Sequence, residues 1–220
     1  MSRKKADRFE HNITATNVIQ DGKDFFNKCK GLWKSELFKN NNPIILEIGC
    51  GKGEYTVGLG NYFPNINFIG IDLKGDRIAV GSKKANEMGL ANVGFLRADV
   101  LLLENFFEEN EISEIWITFP DPRPLRADIR KRLTSPRFLA IYKKLLIENG
   151  ILHLKTDSEP FFDYSFEEIN NAAFSNIIYT KNLYNSDLYE NTFGIKTRFE
   201  EMFTEKGFKI NYLECNCVKS

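Results

Sequence analysis

Ile44-Ile45-Leu46-Glu47-Ile48-Gly49-Cys50-Gly51-Lys52-Gly53 is a short apolar run that stops at a glycine-rich turn. The run reads as a strand buried on both faces, and the alternate glycines read as a tight turn into a helix. A doubly wound α/β sheet uses this layout to bring backbone close to a nucleotide-like ligand. Outward from it the same texture repeats. Asn67 to Asp72, Val93 to Ala98, Glu114 to Phe119 and Gly150 to Thr156 read as further buried strands between helix-length stretches, a rhythm that implies a parallel sheet. Asn176 to Thr180 and Phe208 to Glu214 add two more, the last expected antiparallel because a helix-length segment ends just before it at Gly207. The expected fold is α/β, a doubly wound, mostly parallel seven-stranded sheet.

Composition narrows the class. The 220 residues are 42% apolar and 27% charged, ordinary for one globular domain with a sizeable core. No apolar run approaches the ~20 residues of a membrane-spanning helix, and the basic first ten residues lead into polar sequence instead of a signal's apolar segment. A cytoplasmic protein is expected, with no membrane partner. Four scattered cysteines and two histidines argue against a disulfide framework or a metal site. Thirty basic and thirty acidic residues cancel, so a nucleic-acid partner has to be held by a local patch. The number of copies in the assembly is left open between one and two.

Asn40-Asn41-Asn42-Pro43 punctuates the chain, dividing an N-terminal arm over 1–40, with a candidate helix from Phe25 to Phe38, from the main domain over 41–220. Ser135-Pro136 marks a helix start, a hydroxyl cap followed by proline, and that helix is expected to run to about Glu148. Lys181 to Lys196, rich in Asn, Tyr and Asp without periodicity, reads as a long surface loop.

Three acids then select the ligand. Glu47 lies in the first strand, Asp72 closes the second and Asp99 follows the third, each at the carboxyl end of a parallel strand, where such sheets bind ligands. G-x-G-x-G lacks the third glycine position of the dinucleotide fingerprint, and no Lys-Ser/Thr pair follows it. Gly49 and Gly51 allow close backbone approach. Asp72 is placed to accept the ribose hydroxyls and Asp99 the adenine amine, while Glu47 would repel a pyrophosphate. A cationic adenosine ligand, S-adenosylmethionine, fits this set.

The fourth strand ends in Pro120-Asp121-Pro122, which projects one carboxylate at the same sheet edge, beside the methyl donor. From Arg123 to Arg137 follow six basic residues against the single acid Asp128, a density suited to phosphate contacts.

Together these residues resemble the bacterial tRNA (guanine-N7)-methyltransferases, which modify a guanine in the tRNA variable loop. The likeness spans most of the chain and rests on Leu46-Glu47-Ile48-Gly49, Ile69-Gly70-Ile71-Asp72, Phe119-Pro120-Asp121-Pro122, Arg130 to Thr134, Lys155-Thr156-Asp157 and Thr197-Arg198-Phe199-Glu200. The resemblance implies the class I S-adenosylmethionine-dependent methyltransferase fold. It also implies donor contacts from Glu47, Asp72, Asp99 and Asp121, catalysis by Asp121, and substrate contacts from Asp157, Thr197, Arg198, Phe199 and Glu200. The chain departs from the family at Arg123, Leu125 and Ala127-Asp128, where Trp, Lys and an Arg-His pair are usual. Arg126, Arg130 and Lys131 are the neighbours expected to take over phosphate contacts.

Guanine N7 has an in-plane lone pair and no proton, so its methylation needs no general base and positioning dominates. Positive charge develops on the purine, and a fixed carboxylate, Asp121 or Asp157, stabilises it. Structural roles compete for several residues. Asp157 is also placed to cap the helix that Pro160 announces, and Thr197 with Glu200 matches a capping box. His153, Phe161, Phe162 and Phe166 are expected in the core. Two rival functions share these residues: a methyltransferase acting on another substrate, and a noncatalytic RNA-binding module on the same fold.

Overall fold

The computed structural model describes residues 3–219. Eight strands form one sheet in the order β1-β4-β3-β2-β5-β6-β8-β7. β2 (Ile44–Ile48), β3 (Asn67–Ile71), β4 (Val93–Leu96), β5 (Ile112–Thr118) and β6 (Leu146–Thr156) run parallel, while β8 (Asn211–Asn216) is antiparallel to both β6 and β7 (Ser175–Thr180). The sheet is doubly wound, and the antiparallel last strand is as expected. The eighth strand is β1 (Val18–Ile19), which pairs with β4; two residues are too few to carry a periodicity.

The helices α2 (Glu54–Tyr62), α3 (Gly75–Glu87), α4 (Pro136–Leu145) and α5 (Glu159–Asn171) cover the faces, with α1 (Arg3–Thr14) laid on α3 and the short α6 (Arg198–Glu205) near the carboxyl edge. Strand residues of β2, β3 and β4 are buried without exception, which is why they read as unbroken apolar runs. Two apolar cores result, one per face. Leu46, Ile48, Ile115, Leu139 and Phe161 belong to one, Ile45, Tyr55, Phe68, Phe95 and Trp116 to the other.

Local expectations shift in four places. Phe25 to Phe38 is not one helix but turns followed by a π-helical segment over Trp33–Phe38, because Gly31 takes φ +71° and breaks the run. Trp33 is fully buried and its indole donates to Phe106 O (2.7 Å). Ser135 does not cap α4 by its side chain; its hydroxyl donates to Arg130 O (3.0 Å). α4 stops at Leu145 instead of Glu148, since Leu146 already pairs with Ile112 in the sheet. The segment 181–196 contains two 3₁₀ turns, Leu183–Asn185 and Asp187–Thr192, with Leu183 buried.

His153 is core, as expected. It stacks on Trp116 at 3.7 Å between ring centroids and 6° between planes, with Nδ1 2.9 Å from the Tyr212 hydroxyl.

Candidate active site

β2 is flanked by β3 and β5, and the chain crosses to opposite sides of it, so a crevice opens at its carboxyl end. A cleft of about 310 Å³ lies there. Its floor is Glu47, Gly49, Gly51 and Thr118, its sides include Arg77 and Phe119, and its roof is Thr197, Arg198, Phe199 and Met202 of the α6 end.

The glycine turn has two kinds of glycine. A Cβ on Gly51 would meet nothing within 4 Å, whereas one on Gly53 would stand 2.6 Å from the Phe95 ring. Both have positive φ (+55° and +69°). Gly51 thus leaves room for a ligand, and Gly53 leaves room for the packing of α2 on the sheet. The turn is fixed by Ile71 O, which accepts from Gly49 N (2.8 Å) and Cys50 N (2.9 Å). Asp72 fixes it further: Oδ2 accepts from Gly51 N (3.0 Å) and Oδ1 from Lys74 N (2.7 Å). A carboxylate has about four acceptor sites, so Asp72 retains capacity for hydroxyls.

Glu47 is buried, yet it lines the cleft. Its Oε2 accepts from the amide (2.8 Å) and hydroxyl of Thr56, and its Oε1 from the Thr118 hydroxyl (2.6 Å). Burial pushes its pKa up to about 7 against the pull of those donors. Asp99, half-buried at the end of β4, accepts from Leu101 N (2.9 Å).

Beyond β5 the backbone is strained: Phe119 and Arg123, neither glycine, both have φ +47°. The loop between them exposes Asp121. Arg123 holds that carboxylate twice, by its amide (3.1 Å) and its Nε (3.1 Å). Arg132 is a pin for the same loop, donating to Pro122 O (3.1 Å) and Arg123 O with its guanidinium 4.4 Å over the Tyr164 ring. Lys131 pairs with Asp128 (2.6 Å). Arg126 and Arg130 are exposed and, among the described residues, form no ion pair.

Asp157 is half-buried, and burial raises its pKa. It is not the cap of α5; Ser158 is, accepting from Phe161 N. The capping box at α6 forms as read: Thr197 Oγ1 accepts from Glu200 N (3.1 Å) and Glu200 Oε2 from Thr197 N (3.4 Å). Glu200 does more. Its carboxylate, 1% exposed, binds the wholly buried Lys155 ammonium at 2.8 and 2.9 Å and accepts from the Tyr184 hydroxyl (2.8 Å). Arg198 N donates to Glu54 Oε2 (3.0 Å), tying the start of α6 to the start of α2 across the cleft.

Of the residues expected at the site, Glu47, Gly49, Gly51, Thr197, Arg198 and Phe199 line one cleft. Asp72 borders it through Gly51. Asp99, Asp121 and Asp157 lie outside the lining, at or beyond the carboxyl ends of neighbouring strands, and Arg126, Arg130, Lys131 and Glu200 also lie outside it. Thr56 and Thr118 are partners the sequence reading did not single out, and Lys155 appears there only within Lys155-Thr156-Asp157, with no role of its own. Thr118 and Lys155 sit opposite each other in the β5–β6 register, a pairing that only the fold reveals.

A family profile described as "Putative methyltransferase" (Methyltransf_4) matches residues 41–213. A protein of Bacteroides fragilis (strain YCH46) named tRNA (guanine-N(7)-)-methyltransferase is 47% identical over 185 residues, covering 84% of this chain and 73% of that one. The chain belongs to the tRNA (guanine-N7)-methyltransferase family. A Cytophaga hutchinsonii relative of the same name is 42% identical over 216 residues and 97% of each chain. Among solved structures the 16S rRNA methyltransferase KamB superposes with a TM-score of 0.65 at 15% identity, covering 92% of this family member and 99% of its own chain, a likeness of fold. No helix among the described residues is long and apolar enough to cross a membrane.

Proposed function

We propose that this chain transfers a methyl group from S-adenosylmethionine to N7 of a guanine in the tRNA variable loop, in the cytoplasm where tRNA is found. The relatives above carry the corresponding name. The observation that carries the reading is the cleft at the end of β2, floored by an open glycine turn, bordered by carboxylates and flanked by a basic loop.

The residues present suit the donor. Gly51 has open space where a side chain would stand, Asp72 keeps acceptor capacity for ribose hydroxyls, and Asp99 lies one strand further for an exocyclic amine. Glu47 supplies negative charge at the floor. When bound, S-adenosylmethionine supplies an electrophilic methyl group on a sulfonium.

The chain's own part is positioning and electrostatics. Phe199, 54% exposed on the cleft roof, offers a face for a base to stack on. Asp121 and Asp157 carry the negative charge that stabilises the cationic purine, and either accepts from the guanine N1 and amino hydrogens, a pattern that adenine lacks. Arg123 pairs with Asp121 in this loop, so base entry exchanges one cation for another. Arg126, Arg130 and Lys131 contact phosphates, Thr197 and Arg198 line the roof, and Glu200 holds Thr197 in place through the capping box.

Incubation with unmodified tRNA and labelled donor, followed by chemical scission at 7-methylguanine, tests this reading. Cleavage at one variable-loop position is expected; donor binding without label in tRNA refutes it. Asp121→Asn should lower turnover by about 10²-fold, the order of losing one preorganised charge contact; unchanged turnover removes its role.

A further inference from the structure

The helix α1 opens with Arg3-Lys4-Lys5 and adds Arg8, so four basic residues fall in its first two turns with no acid in the first turn. A helix N-terminus is already positive, and cations there are disfavoured. Placement against local electrostatics marks a role other than stability.

Nor does this helix flap free. Asn12, fully buried, donates to Gly75 O (2.7 Å), and Ser82 of α3 donates to Asn17 Oδ1 (2.6 Å). The Ser82 hydrogen is thereby used, so His11 Nε2, 3.0 Å from Ser82 Oγ, is the donor in that contact. Between the two helices lies a concave strip of about 600 Å³, whose lining includes His11 and four cations: Lys4, Arg8, Lys83 and Lys84. Two acids, Asp7 and Glu87, share it, and among the described residues none of these six charged groups forms an ion pair. Four cations against two carboxylates make a positive concavity on a chain of zero net charge.

One face of α3 borders both the strip and the cleft. Arg77 lines the cleft, Val80 one turn later lines the strip, and Lys84 follows one turn beyond; seven residues of helix carry this line about 10 Å.

We propose that the strip between α1 and α3 is a second seat for the RNA phosphate backbone, remote in sequence from the basic loop after β5. It rests on tRNA being the substrate. An acidic protein surface would also answer to positive charge, but the shared α3 face, with Arg77 at the cleft and Lys84 at the strip, favours the polymer whose base enters the cleft. His11 is a built-in reporter. Desolvation, Lys83 and Lys23 lower its pKa; Arg8 and Asp7 line the strip with it, and Ser82 faces it from α3. Phosphate seated there raises it.

The test measures tRNA affinity against salt for the full chain, for Lys83→Gln/Lys84→Gln, and for Lys4→Gln/Arg8→Gln on the facing helix. Each pair should weaken binding about tenfold at physiological salt and flatten the logarithmic salt slope by about 1.5, since each phosphate contact is worth roughly 0.7–0.9. Lys83→Arg/Lys84→Arg should restore both, and Lys28→Gln, on an exposed turn elsewhere, should flatten neither. The His11 ring resonances, assigned by His11→Gln, should titrate at higher pH with tRNA bound. Unchanged affinity and slope in both pairs overturns the second seat while leaving the cleft reading intact. Losses in both pairs on a chain that transfers no methyl to tRNA overturn the cleft reading and support the seat. Equal losses for tRNA and for an acidic protein probe overturn the assignment to RNA.

Discussion

Replacing Lys155 with Met removes the only cation bonded to the Glu200 carboxylate among the described residues and leaves that carboxylate in the interior. Met approximates the volume of the lysine stem, so the cost is electrostatic more than steric. Breaking a buried pair from one side costs about 3–5 kcal/mol, a large share of the ~5–15 kcal/mol that holds a domain folded. At about 2–4 °C per kcal/mol for a chain of this size, the melting temperature should drop by roughly 10 °C. Two donors remain on Glu200, the Tyr184 hydroxyl and Thr197 N, which places the expectation at the lower end. In Lys155→Met/Glu200→Gln the orphaned charge is gone and at least half of the loss should return, a coupling of about 2 kcal/mol. Urea unfolding of the wild type, both single variants and the double variant reads these numbers. A loss below about 1 kcal/mol for Lys155→Met, or simple additivity in the cycle, would refute the reasoning that this pair is tightly coupled. The pair also docks the end of α6 that roofs the cleft, so tRNA affinity should fall in Lys155→Met at temperatures where the chain is still folded.

Glu47 should give donor binding a pH dependence centred near 7. Folding raises this carboxyl from 4.5, so the folded chain keeps a proton that the unfolded chain gives up; its contribution to stability is full below 4.5 and lost as pH rises through about 7. Binding of a cationic donor runs the other way, strengthening from pH 6 to 8 as the carboxylate ionises, and calorimetry on Glu47→Gln should show that dependence flattened. Gly51→Ala and Gly53→Ala should separate. Both carry the strain of a side chain at positive φ. Beyond that shared cost the first should weaken donor binding, because its Cβ enters open cleft, and the second should lower the melting temperature further, because its Cβ meets the Phe95 ring at 2.6 Å; equal effects on both readouts would contradict the division. Arg126→Gln/Arg130→Gln should flatten the salt slope of tRNA binding by roughly 1.5, with donor affinity unchanged; an unaltered slope would remove those two side chains from the phosphate contacts.

The parallel strands were legible because burial on both faces leaves an unbroken apolar run, and β2 to β6 were placed within a few residues at each end. What escaped the sequence reading was set by partners distant in the chain. β1 is a strand only because Val18 and Ile19 meet Phe95 and Leu96, and the spacing of Phe25, Phe26, Trp33 and Phe38 imitates a helical face across a glycine that breaks it. The cleft was legible in the same uneven way. Glu47, Gly49, Gly51 and Thr197 to Phe199 converge as strand-end and helix-start logic implies, but nothing local to Lys155 or Glu200 says that they meet. Arg132 illustrates the converse: within a basic run it looks like a phosphate ligand, and the fold spends it on two carbonyls and a tyrosine ring.

The two-residue strand has a bearing on how the protein survives in a crowded solution. Asn17 O accepts from Phe95 N (2.8 Å) and Ile19 O from Arg97 N (2.9 Å), so the flank of β4 is closed by the chain's own leading segment. Shortening the protein to residue 41 would strip that cover and bare a hydrophobic margin suited to recruiting a neighbour's backbone. Such a truncated protein would be lost to self-association before its chemistry was ever measured.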